Sequence, residues 1–413
     1  MPRSSWPLAL AAALLFPCLP LQAQPSAPPP SAASSLTLEQ ALERAQAANP
    51  QLAAARLELS ANDGSLLQAG VLRNPELGVE LEDFRKSTRT TTAALSIPLE
   101  LGGKRAARIA AAERGRALAH AELDNTRATV RAAVIAAYFD LLIAQERVLV
   151  ATSAEEIAAR ATASAERRVQ AGRISPVDAT RAQVAQANAA LALSQARTGL
   201  DNARRQLALQ WGADVPDFGA VSGAVGELPQ RPPLDAMLQR LDRSPALQSS
   251  RVALERQRAL VDIERSKATP DVSLMVGAKR DNEMGRTQAV VGVSVPLPLF
   301  DRNQGNVLEA SQRALKAEDE HRGRELALRH ELRNARAQLE SARTVEQQLR
   351  KVVLPAAQQA HEAATRGFEA GKFNQLDVLD AQRTLLEARE RLLDAQASGW
   401  QAASAIDRIL GGE

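Results

Sequence analysis

The stretch "AGKFNQLDVLDAQ", residues 370–382, interrupts a long helical pattern, and "AGRISPVDATRAQ" at 171–183 interrupts another in the same way. In each, a glycine (Gly172, Gly371) turns the chain, and a cap residue three positions on (Ser175, Asn374) reopens a helix. Pro176 takes the favoured first helical position and Asp178 the third, so the spacing predicts a capping box, which Asn374 and Asp377 repeat. A carboxylate near a helix N-terminus stabilises by ~0.3–1 kcal/mol, which accounts for Asp178 and for at least one role of Asp377. Asp380 lies a turn deeper, too far in to cap, on the same face as Asp377 at i, i+3. Its counterpart in the first stretch is Arg181. A solvated carboxylate, or a pair with such an Arg on another helix, is the plain alternative to a functional role.

Outward from these turns the chain aligns with itself. "NPQL" at 49–52 matches "SPAL" at 244–247, "NP" at 74–75 matches "TP" at 269–270, and "SIPLEL" at 96–101 matches "SVPLPL" at 294–299. Trp211-Gly212 matches Leu410-Gly411, and the offset drifts only from 195 (Asn49 to Ser244) to 199 (Gly212 to Gly411). The chain therefore divides into a repeat at 36–212, a Pro/Gly-rich joining segment at 213–233, and a second repeat at 234–413. Each repeat reads as helix, β-hairpin, long helix, turn, helix. Thr37 and Gln40 form a capping-box pattern, Pro50 restarts the helix, and Asn74-Pro75 ends it. "ELGVELEDF" alternates apolar Leu77, Val79 and Leu81 with small or acidic residues, the period of a strand with one apolar face. Strands are expected at about 76–84 and 92–101, and again at about 271–279 and 288–300. From Lys104 to Gly172 there is no proline, and Val130, Val134, Ala137, Leu141, Ala144 and Val148 keep an a/d seam. Roughly 67 helical residues at 1.5 Å each span ~100 Å, more than a compact domain needs.

Composition agrees with long legs packed through small side chains. Aromatic residues are 3% of the 413, and 51 basic residues alternate with 48 acidic ones for a net charge of +3, a pattern of solvated helix faces that gives no nucleic-acid footprint. Residues 1–23 read as a secretory signal peptide, with Arg3, an apolar run and Leu21-Gln22-Ala23 before the cut, followed by a Pro/Ser-rich linker at 24–35. Cys18 falls inside the leader. Lipidation of Cys18 is the alternative to its removal, and Pro17 fits a lipoprotein cleavage site poorly.

Four short strands per chain cannot close a membrane barrel, whose smallest examples have eight, and open edges in lipid would strand backbone donors. Several chains must share one barrel. Three would supply twelve strands, with the long legs continuing the barrel as a tube. The expected fold is thus mainly α with a small β part: a duplicated helix–hairpin–long helix–turn–helix protomer, three of which form a twelve-stranded β-barrel continued by an α-helical barrel.

Through "NP…L", "SIPLELGGKR", "SVPLPLFDRNQGN" and the two "AG…D…AQ" turns, the chain resembles the TolC-like outer-membrane efflux proteins over nearly its whole mature length. "VPLPLFDRNQGN" at 295–306 looks most like the branch serving heavy-metal (cobalt–zinc–cadmium type) resistance-nodulation-division pumps. The resemblance implies a homotrimer in outer-membrane lipid whose tube meets a periplasmic adaptor and an inner-membrane pump. It implies no cofactor in this subunit. It also implies that the "DVLDA" carboxylates Asp377 and Asp380 line the closed periplasmic end, and that Gly172, Ser175, Val177, Asp178, Gly371, Phe373, Asn374 and Leu376 form the tips where an adaptor docks. Where the family pattern admits a basic residue two positions after the glycine, this chain has Phe373, so a lock built on that residue is not carried over. Val177, Phe373 and Leu376 are expected to pack the closed tips together.

No nucleophile constellation or phosphate loop is present, and His120, His321, His330 and His361 are scattered along helices without the spacing of a metal site. Drug export and protein secretion remain open beside metal export. A periplasmic coiled-coil adaptor or structural protein is the rival of another class.

Overall fold

The computed structural model describes residues 35–412. The signal peptide, Cys18 and the linker up to residue 34 lie outside the described residues.

The first repeat opens with α1 (Leu38–Ala48), whose Thr37–Gln40 capping box is formed in both directions. Asn49 then caps α2 (Pro50–Ala69) by accepting from the Leu52 N–H. Next come β1 (Glu76–Glu82), β2 (Thr90–Leu99), α3 (Lys104–Gln170) and α4 (Pro176–Leu209). The second repeat has α5 (Leu234–Leu241), α6 (Pro245–Lys267), β3 (Val272–Asp281), β4 (Arg286–Ser294), α7 (Gln304–Gln348), α8 (Leu354–Glu369) and α9 (Gln375–Leu410). At 67 residues, α3 runs about 100 Å.

The second leg is not one helix. A π-helical turn, Leu349–Val353, separates α7 from α8 just before Pro355. Proline supplies no N–H and crowds the carbonyl four residues back, so the ladder shifts by one residue here, while α3 contains no proline and runs through.

Both hairpins join one antiparallel sheet in the order β1-β2-β3-β4, with β2 and β3 paired from Thr90–Asp281 to Leu99–Val272. Cross-strand register puts Leu77, Val79, Leu81, Leu95, Ile97, Leu274, Val276, Val291 and Val293 on one face and Glu80, Glu82, Thr92, Lys279 and Gln288 on the other. The apolar face has no cover: Leu77 is 73% and Val291 71% exposed. Strand ends differ from expectation for local reasons. β1 stops at Glu82 because Asp83 takes φ +61° and its carboxylate accepts from the Arg85 N–H and the Thr88 hydroxyl. β2 stops at Leu99 ahead of the positive-φ pair Gly102-Gly103. β4 ends at Ser294, short of residue 300, where its pairing with β3 stops at Ser273; the stretch beyond it has no partner strand.

Two equivalent cores sit midway along the legs. One gathers Leu52, Val130, Val134, Tyr138, Leu141 and Leu207, and the other Leu247, Leu328, Leu332, Leu339, Ile406 and Ile409. Here the heptad seam is realised, with Val134 and Leu141 fully buried and Ala137, Ala144 and Val148 at its partly covered margin. The joining segment crosses these cores as a strap. Leu36 bridges Val221, the Tyr138 hydroxyl donates to Ser222 O at 2.5 Å and Leu36 O at 3.1 Å, and Gln145 holds both backbone groups of Val221. Further along, Leu228 N–H donates to Glu346 Oε2 at 3.3 Å, and the Leu228 side chain fills the notch left by Gly399 on α9.

Candidate functional site

The tips of the two helical hairpins are built from the same hydrogen bonds. In the first, Gly172 N–H donates to Val169 O and Arg173 N–H to Arg168 O, at 2.9 and 2.8 Å. In the second, Gly371 N–H donates to Phe368 O and Lys372 N–H to Gly367 O, at 3.0 and 2.8 Å. This is the Schellman ending of a helix, which needs left-handed backbone at its glycine. Gly172 and Gly371 have φ of +69° and +73°, and space around both is open, so conformation rather than crowding selects glycine.

The helix restarts are not equivalent. Asn374 Oδ1 accepts from Asp377 N–H at 3.0 Å and Asp377 Oδ2 accepts from Asn374 N–H at 2.9 Å, a complete capping box. At the first tip the expected box with Asp178 is absent. The Ser175 hydroxyl accepts from the Val177 N–H at 3.2 Å, the Asp178 N–H donates to the Ser175 carbonyl, and the Asp178 carboxylate turns to Arg181 at 3.6 Å. The short serine side chain serves the second helical N–H, and the adjacent guanidinium offers the aspartate a charged partner.

Asp380 is exposed and has no ion pair within the described residues. Arg383, next along that surface, pairs instead with Glu387 at 2.8 Å. Of the two candidate gate carboxylates, then, Asp377 is committed to its own helix start and Asp380 is available to a partner. The expected apolar packing of the tips does not occur within one chain. Val177, Phe373 and Leu376 are each at least half exposed, and the Phe373 ring lies over Gly367 of its own turn. Near the tips the hairpins meet at Arg168, whose guanidinium sits 3.9 Å from the Phe368 ring centroid. Sequence reading missed this pair because its members are two hundred residues apart. The one available hint was that both lie within a turn of a tip glycine, four residues before Gly172 and three before Gly371.

The four histidines have separate surroundings. His120 faces Asp124, His321 shares a hydrogen bond with Ser250, His330 with Asn334, and burial, aided by the Arg389 charge, pushes the His361 imidazole below its ordinary value. Among the described residues no three His, Cys, Asp or Glu side chains come together as a metal site. Also among them, no helix is long and apolar enough to cross a membrane. The apolar sheet face is the surface suited to lipid.

A short four-stranded sheet with two open edges, set on helical legs about 100 Å long, defines a subunit of a channel whose barrel and tube are shared between chains. The chain belongs to the outer membrane efflux protein family, whose model matches residues 41–213 and 237–412. It is 51% identical over 383 residues to the cobalt-zinc-cadmium resistance protein CzcC of Cupriavidus metallidurans, covering 93% of this chain and 92% of that one. In fold it matches the outer membrane protein VceC of Vibrio cholerae, with a TM-score of 0.73 at 20% identity over 91% of this chain and 96% of that one. It also matches the open-state outer membrane channel MtrE of Neisseria gonorrhoeae, with a TM-score of 0.74 at 21% identity over 91% and 89%. The protein is an efflux channel subunit of the Gram-negative outer membrane.

Proposed function

We propose that three copies of the chain form the outer-membrane conduit of a tripartite resistance-nodulation-division system that exports heavy-metal cations. The observation that carries the metal assignment is the 51% identity to CzcC across nearly the full length of both chains. Twelve strands from three sheets close a barrel with the apolar face toward lipid, and the tubes descend to a periplasmic adaptor and an inner-membrane pump. The conduit lends no energy and no chemistry. It is not an enzyme and needs no cofactor, because the pump drives transport and the channel has only to let its cargo leave.

At the periplasmic end, Asp380 is the gate residue in this reading, with three copies forming an acidic ring that favours cations. Asp377 supports the ring by holding the helix that carries Asp380. Gly172, Ser175, Val177, Asp178, Gly371, Phe373, Asn374 and Leu376 make the tip surface an adaptor hairpin contacts, and the exposed Val177, Phe373 and Leu376 are its apolar part.

The test is complementation. A strain with a heavy-metal pump and adaptor but no channel subunit should regain growth on cobalt, zinc and cadmium salts when this chain is expressed, with cell-associated metal falling. Restored tolerance to dyes or detergents alone would move the assignment to drug export, and restored release of a secreted protein would move it to protein secretion.

A further inference from the structure

Where the sheet meets the legs, the two repeats are joined by charge. Lys104 Nζ lies 2.5 Å from Asp271 Oδ1, Arg73 reaches both Asp271 and Glu100 at 3.3 and 3.2 Å, and Arg108 pairs with Glu100 at 2.5 Å. Lys104 belongs to the β2–α3 junction and Asp271 to the α6–β3 junction, so the pair crosses from one repeat to the other.

Both junctions occur a second time in the chain. "SVPLPLFDR" at 294–302 stands to β4 and α7 as "SIPLELGGK" at 96–104 stands to β2 and α3, and "NPE" at 74–76 stands to β1 as "TPD" at 269–271 stands to β3. In this alignment Arg302 takes the place of Lys104, and Glu76 that of Asp271: a cation for a cation and an anion for an anion. Yet β1 and β4 are the two outer strands of the sheet, so within one chain these residues lie at opposite edges. Neither forms an ion pair among the described residues, and the Arg302 Nε–H donates only to the Pro298 carbonyl, at 3.3 Å. The backbone repeats the message. Pro98 and Leu99 of β2 pair with Ser273 and Val272, whereas beyond β4 the matching stretch has no partner strand and leaves Leu297 74% exposed.

We infer that Arg302 of one copy pairs with Glu76 of the next copy of this chain, across a seam between β4 and the neighbour's β1. The barrel is then collared, where it meets the tube, by ion pairs that alternate between Lys104–Asp271 within a chain and Arg302–Glu76 between chains. The inference rests on the trimeric reading above and names the residues that close it. The seam between copies is the more lightly held of the two. Pro298, Asn306 and Ala268 replace Glu100, Arg108 and Arg73, and α7 starts two residues later in this alignment than α3 does, so Arg302 sits in the turn ahead of the helix. A heterologous contact of this kind closes into a ring when each copy offers one edge of each type.

The test uses the full chain in outer-membrane vesicles with a short bis-thiol reagent. The double variant Glu76→Cys/Arg302→Cys should give two-chain and three-chain bands on denaturing gels, while either single variant and the unsubstituted chain give none. The control Lys104→Cys/Asp271→Cys should react within one chain and stay at monomer mass. Charge reversal adds a second readout: Glu76→Arg or Arg302→Glu should weaken assembly in detergent, and the two together should restore it. The native mass of the untreated protein is measured in parallel. An assembled protein whose control pair reacts but whose Glu76→Cys/Arg302→Cys pair does not cross-link between chains overturns the collar and leaves the trimer standing. A monomer overturns the assembly itself.

Discussion

Asp377 and Asn374 hold each other by reciprocal hydrogen bonds of 2.9 and 3.0 Å, while Asp380, one turn further on, has no ion pair among the described residues. The two aspartates should therefore separate on substitution. Asp377→Ala removes half of a capping box and should cost about 1 kcal/mol of helix stability at the tip, seen as faster amide exchange over residues 375–378. Asp380→Ala should leave exchange unchanged but raise single-channel conductance in bilayers and weaken block by multivalent cations. If conductance and block are the same with and without Asp380, that residue is not in the gate.

The Tyr138 hydroxyl is one of the strap's ties to α3, through Ser222 O and Leu36 O, beside Gln145. Tyr138→Phe keeps the ring in its core and leaves the Ser222 carbonyl short of a donor, while Leu36 O keeps the Ser222 N–H and hydroxyl, a loss of about 1–3 kcal/mol. Limited proteolysis should cut the 213–233 segment faster in the variant. An unchanged cleavage rate would mean the strap is held elsewhere, by Gln145 and Glu346.

Gly399 is required by crowding, since a Cβ there would run into the Leu228 side chain. Gly399→Ala should destabilise by about 1–3 kcal/mol, as overpacking of a filled site does. Adding Leu228→Ala should return most of the loss in thermal unfolding. Failure of the second change to rescue the first would show that the strap and α9 are not in register here.

Asp140 on α3 sits among α4 and α9, and burial raises its pKa above the ordinary aspartate value, opposed by a hydrogen bond from Gln401 and by the Arg147 charge. The folded chain thus binds this proton more readily than the unfolded one. The stability linked to that proton is full below the ordinary aspartate range and lost as pH rises through the raised value. Asp140→Asn should melt higher than the parent at neutral pH, with the difference shrinking as pH falls through that window. A difference that does not vary with pH would assign the effect to packing.

Much of the fold is legible locally. The prolines and cap residues at 49–50, 74–75, 175–176 and 374 mark helix ends through backbone chemistry that needs no tertiary partner, and the alternation at 77, 79 and 81 marks a strand by its period alone. The tip glycines are legible for the same reason, because φ near +70° is costly for any other residue. What could not be read joins distant segments: Arg168 on Phe368, Leu228 over Gly399, Glu346 under the strap. Asp178 departs from the expected capping box because its choice between the helix start and Arg181 is made by side chains with several available partners.

By itself the sequence determined the duplicated helix–hairpin–helix plan, the turns and the apolar face of the sheet, since these follow from periodicity and backbone preference within a few residues of each site. The tertiary structure decided which of two tip aspartates is free, how the strap binds the two repeats, and that the edges β1 and β4 stay open within one chain. Those outcomes depend on which groups meet across two hundred residues, where desolvation and competing hydrogen bonds select one partner among several that the sequence allows.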